Sequence, residues 1–153
     1  MSKRKIRVTR ENNVLYHFTS VYHAIAIVDS GYLKLTESNL VSPDGTWQTE
    51  LKSKNYKPVV WLTDSEVPEG LGLSSCPMKK RVRITVAKRD TMIFWRAWEP
   101  QKYMDKWWRK MLCKGQNPSS WYVSEEIVPF SDFLKIEDME TGVVYYDAQK
   151  VAA

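Results

Sequence analysis

Two histidines, His17 and His23, and one pair of adjacent glutamates, Glu125 and Glu126, are the residues whose setting in this chain could carry chemistry. His17 sits inside an otherwise apolar run, Leu15-Tyr16-His17-Phe18-Thr19, just before a helix start. A half-buried imidazole there needs a partner for its ring nitrogens, because an unpaired buried polar atom costs about 1–3 kcal/mol. A backbone carbonyl meets that need as well as a bound ligand does, and the sequence leaves both open. His23 falls off the apolar stripe of the first helix, where an exposed polar residue is the simpler reading. The glutamates stand between two apolar runs, Trp121-Tyr122-Val123 and Ile127-Val128. Adjacent residues at a strand end point to opposite faces, so one carboxylate can turn toward a cleft while its neighbour meets water. Both can equally be rim charges. The chain has no phosphate-binding glycine loop, no Gly-x-Ser-x-Gly elbow and no His-Glu-x-x-His, so nucleotide hydrolysis, esterase and zinc-protease chemistry have no motif to rest on.

The elements that must hold these groups are legible as pattern. Val14 to Thr19 reads as a strand that ends at Ser20, a helix cap. Val21, Ala24, Ile25 and Val28 recur at helical spacing, and Gly31 stands where a left-handed helix end belongs. Tyr32 to Leu35 alternates like a short strand. Thr36 to Lys57 is polar, with a turn at Pro43-Asp44-Gly45, and predicts a long mobile connection. Pro58 to Thr63 has strand character, and a Pro/Gly/Ser-rich loop follows from Asp64 to Pro77. Arg81 to Val86 alternates charged and apolar residues, so one face meets water. Thr91 to Trp95 reads as a further strand. Glu99 to Lys114 reads as the second helix, with Met104, Trp107, Trp108, Met111 and Leu112 as its apolar stripe and Gly115 as its stop. Trp121 to Val123, Ile127 to Val128, Phe133 to Ile136 and Val143 to Tyr146 complete a strand-rich C-terminal half, with a turn at Thr141-Gly142. The expected fold class is α+β, a mostly antiparallel sheet carrying two main helices.

At 153 residues, 43% of them apolar, the chain is long enough to bury one core without staples. The expected organisation is a basic arm over residues 1–13, a single domain over 14–147 and a tail over 148–153. Cys76 and Cys113 match no metal-ligand spacing, which predicts free thiols, no metal site and a reducing compartment. No apolar run follows the basic start, so neither a secretory signal nor a membrane span is expected, and a cytoplasmic location is. The net charge of +5 is concentrated in Lys3, Arg4, Lys5, Arg7 and Arg10. A second basic cluster, Lys79, Lys80, Arg81, Arg83, Lys88 and Arg89, flanks an apolar strand; it could hold nucleic acid or be a solvated strand face. The tryptophans at 95, 98, 107, 108 and 121 fit a core; any that are exposed could stack unpaired bases.

Together these segments resemble the ADP-ribosyltransferase fold of the diphtheria-toxin and poly-ADP-ribose polymerase type, and the bacterial DNA-modifying ADP-ribosyltransferase toxins. The resemblance rests on three segments in the family's order, spanning most of the chain from Val14 to Val128. They are Leu15-Tyr16-His17-Phe18-Thr19-Ser20 with its glycine-ended helix, then Val59-Val60-Trp61-Leu62-Thr63-Asp64, and last Glu125-Glu126-Ile127-Val128. It implies a split sheet forming a cleft that binds NAD, the substrate, and transfers ADP-ribose to a macromolecule, nucleic acid or protein, with release of nicotinamide. By the same resemblance His17 would bond a ribose hydroxyl, the main chain of Phe18 with Thr19 would hold the nicotinamide amide, and Trp61 with Thr63 would wall the nicotinamide ring. Glu125, chosen over Glu126 by its spacing to Ile127-Val128, would steady the oxocarbenium-like transition state. The family's second nicotinamide-stacking aromatic has no match in residues 65–75, and Tyr56 or Trp47 would have to substitute. The alternative from another class is a non-catalytic module that binds nucleic acid or protein.

Overall fold

The computed structural model describes residues 13–40, 57–73 and 76–152. Strand β1 (Val14–Thr19) is followed by helix α1 (Val21–Ser30) and strands β2 (Tyr32–Leu33), β3 (Val60–Thr63), β4 (Val82–Ala87) and β5 (Met92–Phe94). Helix α2 (Lys106–Cys113), strands β6 (Trp121–Ser124), β7 (Val128–Pro129), β8 (Phe133–Asp138) and β9 (Val144–Asp147), and helix α3 (Ala148–Ala152) complete the order. The seven-stranded sheet runs β5-β6-β3-β1-β4-β8-β9 and a two-stranded sheet pairs β2 with β7. All the pairings are antiparallel, so the α+β, mostly antiparallel class holds. No helix among the described residues is long and apolar enough to cross a membrane.

The pairing at the centre of the sheet is uneven. β1 and β4 are in register along all six residues of β1, from Val14 opposite Ala87 to Thr19 opposite Val82. β1 and β3 pair at one position, Tyr16 opposite Thr63. Past that point the Nδ1–H of His17 donates to the carbonyl of Trp61 at 2.8 Å, so an imidazole stands where a ladder bond would otherwise close the strands.

Alternation along the strands sends side chains to two cores. Leu15, Val60, Leu62, Val82, Ile84 and Val86 face one way and pack with Phe133, Ile136 and Ala24 of α1. Val123 and Trp121 face the other way and pack with Val59, Trp95, Trp98 and Met104, joined by Trp61, Trp108 and Leu112. Tryptophans 95, 98 and 121 are thus core, whereas Trp107 is 62% exposed.

The helices start and stop for local reasons, and two of their faces depart from the sequence pattern. Ser20 caps α1 by accepting from the N–H of His23 at 3.1 Å, and Gly31 at φ 88° closes it with its N–H on the carbonyl of Ile27. Its core-facing side is Val21, Ala24 and Ile27; Ile25 and Val28 are exposed, because a helix this short buries one narrow stripe and its packing on the sheet selects which. The second helix is shorter than its pattern. Glu99–Tyr103, with Pro100 near its start, is a 3-10 turn, Met104 is extended, and Asp105 starts α2 by accepting from the N–H of Trp108 at 3.0 Å. Residues 148–152, expected as tail, form α3. Residues 36–40, expected as the start of a mobile loop, are held: Thr36 and Val59 exchange both backbone bonds at 2.7 and 2.8 Å, and Leu40 is buried.

Candidate functional site

Where β1 and β3 diverge, a groove of about 820 Å³ opens. β1 lines it with Tyr16, His17, Phe18 and Thr19, and β3 lines it with Trp61, Leu62 and Thr63. α1 adds His23, Ala26, Ile27 and Ser30; the segment after it adds Lys34, Thr36, Glu37 and Asn39. Leu71 to Leu73, Lys79, Leu112 and Trp121 complete the wall. Mostly apolar surface with a few convergent polar groups is the usual make-up of a small-molecule site.

His17 is the polar centre of this wall. Burial holds its imidazole below the ordinary value of 6.5 against the opposing bond to Trp61, and the charges of Lys79 and His23 push the same way as burial. The ring is therefore neutral near pH 7. With Nδ1–H committed to the Trp61 carbonyl, Nε2 carries the lone pair and can accept from a hydroxyl. Trp61 is fixed as a wall on two sides. Its Nε1–H donates to the carbonyl of Glu37 at 2.9 Å, and its ring meets Trp121 edge-on at 5.9 Å and 88°. Trp121 is fixed in turn, by an Nε1–H bond to the carbonyl of Gly70 and an edge contact with Trp95 at 5.1 Å. Thr63 is buried and its hydroxyl oxygen accepts from the N–H of Ser65 at 3.0 Å.

The groove therefore gathers His17, Phe18, Thr19, Trp61 and Thr63. Tyr56 and Trp47 lie outside the described residues. Glu125 is not among the residues that line the groove. β6 lines the groove at Trp121, and Glu125 follows the last residue of that strand, Ser124. His17 lies opposite Ile84, on the face of the first core, whereas the Glu125 carboxylate accepts from Nε1 of Trp98 in the second core at 2.8 Å. Its other oxygen is 3.6 Å from Nζ of Lys57. Glu126 is exposed, and its main chain is held by Ser124, which accepts from its N–H and donates to its carbonyl. Glu125 is therefore engaged by Trp98 and Lys57 and does not line the groove, whereas His17 does.

The arginines of the basic segment are engaged within the fold. Arg81 pairs with Asp138 at 3.0 Å, Arg83 with Glu137 at 2.8 Å and Arg89 with Asp132 at 2.6 Å, while the ammonium of Lys88 lies over the ring of Tyr122. Arg83 also stacks on Tyr16 at 5.1 Å and donates to the carbonyl of Glu66. Arg83 joins β4 to β8, and Arg81 and Arg89 make their bonds just beyond the two ends of β4. Lys79 differs from them: it lines the groove and has no ion pair among the described residues.

Sequence reasoning misses Lys34, Glu37 and Asn39 as groove residues, because nothing in their composition separates them from the polar stretch that follows. Their places are set from a distance, by the Thr36–Val59 bridge, the Trp61 indole and an Nε1–H bond from Trp108 to the carbonyl of Asn39 at 2.8 Å. No family model matches the chain, and no curated protein or solved structure matches it.

Proposed function

We propose that this groove is a nucleotide site of ADP-ribosyltransferase type, that its ligand is NAD, and that the chain transfers ADP-ribose from NAD to a macromolecular acceptor. The observation that carries the reading is the convergence of His17, Phe18 and Thr19 from one strand with Trp61 and Thr63 from another, at the point where those strands part. A neutral imidazole with Nε2 free to accept suits a ribose hydroxyl. The β1–β3 ladder is confined to Tyr16 opposite Thr63, which suits an amide bonding to the main chain of Phe18. The Trp61 face, braced by Trp121, suits a flat aromatic ring. Lys34 and Lys79 against the single acid Glu37 give the described lining an excess of positive charge, which favours a diphosphate.

The alternative, a non-catalytic module holding nucleic acid on the basic segment, has less support because its arginines are already paired with carboxylates. Calorimetric titration of the full chain with NAD tests the proposal. Saturable binding is expected, weakened about tenfold in His17→Ala through the lost hydrogen bond. No heat of binding from NAD, or equal affinity in His17→Ala, contradicts it.

A further inference from the structure

Transfer of ADP-ribose calls for a carboxylate beside the sugar, and Glu125 is engaged by Trp98 and Lys57 and does not line the groove. Among the described residues the groove has one acid of its own, Glu37. We propose that Glu37 is the catalytic carboxylate of this groove, an assignment that rests on the NAD reading above.

Three observations place it. Its main-chain carbonyl takes the indole N–H of Trp61, so Glu37 is tied directly to the residue proposed to wall the nicotinamide. Its segment is anchored on both sides, by the Thr36–Val59 bridge before it and by buried Ser38, buried Leu40 and the Trp108 bond to Asn39 after it. Its carboxylate has no ion pair among the described residues, whereas Glu125, Asp132, Glu137 and Asp138 are each engaged by a cation. The main chain of Glu37 is anchored, and a carboxylate that makes no ion pair keeps its charge for a positive centre that develops in the site.

In the reaction the C1′–N1 bond of NAD breaks and its electron pair passes to the pyridinium nitrogen. Neutral nicotinamide leaves and the ribose takes up positive charge, which the Glu37 carboxylate stabilises more in the transition state than in the ground state. With water as the simplest acceptor, a C1′–O bond forms and the water's proton passes to Glu37, which returns it to solvent.

The test uses the full chain with NAD, following nicotinamide release by chromatography and NAD binding by calorimetry. Glu37→Gln is expected to slow release by about 10²–10³-fold while NAD affinity changes little. Glu37→Asp should retain more of the rate than Glu37→Gln, and Glu125→Gln should release nicotinamide at the rate of the unaltered chain. Full-rate release by Glu37→Gln overturns the assignment, as does an unaltered chain that binds NAD without releasing nicotinamide; both leave NAD binding intact. A Glu37→Gln chain that loses binding along with rate also overturns it, since a transition-state role spares ground-state affinity. An unaltered chain that fails to bind NAD removes the nucleotide reading itself and this assignment with it.

Discussion

Along β4 and β8 the charges meet one another, while around the groove they do not. Arg81 finds Asp138, Arg83 finds Glu137, and Arg89 finds Asp132. In the groove wall Lys34, Lys79 and Glu37 have no ion pair among the described residues, and the imidazole of His17 is kept neutral by burial. The first group consists of long side chains bonded on and just beyond β4 and β8, where each charge is answered within the fold. The second offers unanswered charge next to an apolar wall, the condition under which a ligand gains most from a charged partner. Charge density along the sequence does not separate the two: Arg81, Arg83 and Arg89 of the basic segment are paired within the fold, whereas Lys79 of the same segment lines the groove.

Breaking the structural side should give the largest effect. Asp138 is almost fully buried, and burial alone would raise its carboxyl; the N–H of Thr141, the hydroxyl of Tyr145, the N–H of Glu140 and the Arg81 guanidinium outweigh it and hold the group at about 2, below the ordinary 3.8. A depressed folded-state value means that the ionised carboxylate stabilises the fold fully above pH 3.8 and that this support is lost as pH falls from 3.8 through about 2. Thermal melts of Asp138→Asn should show a large loss of stability at pH 6 and a shallower decline than the unaltered chain below pH 4. A variant with unchanged melting at pH 6 would move Asp138 out of the structural group. Sharpening the groove side calls for a smaller effect. Lys79→Gln should weaken NAD binding by about two- to fivefold, the range of an exposed ion pair, and the difference should shrink as salt rises. Arg89→Gln, across the comparison, should leave NAD affinity as it is.

The sequence shows the scaffold better than the site. Val14 to Thr19 and the Ser20 and Gly31 boundaries of α1 are legible because cap chemistry and β-branched or aromatic composition act locally. The buried phase of α1 is not, since Val21-Ala24-Ile25-Val28 and Val21-Ala24-Ile27 are both helical stripes and the sheet chooses between them. The run Glu99 to Lys114 hides a break because Asp105, which looks like one more polar-face residue, is the cap of a later start. His17, Phe18, Thr19, Trp61 and Thr63 are found from sequence because each belongs to a strand whose neighbours are visible. Glu125 does not line the groove, and spacing to Ile127-Val128 says nothing about which end of β6 reaches it. Glu37 escapes, since contacts from Trp61 and Val59, more than 20 residues away, set its position.

The central claim, that NAD occupies the space between β1 and β3, is tested most directly by following the indole N–H resonances of nitrogen-15-labelled protein during an NAD titration. The account predicts that the Trp61 and Trp121 signals move to saturation while that of Trp107, exposed on α2, stays in place. Movement of Trp107 with Trp61 and Trp121 unmoved, or no movement at saturating NAD, would contradict it.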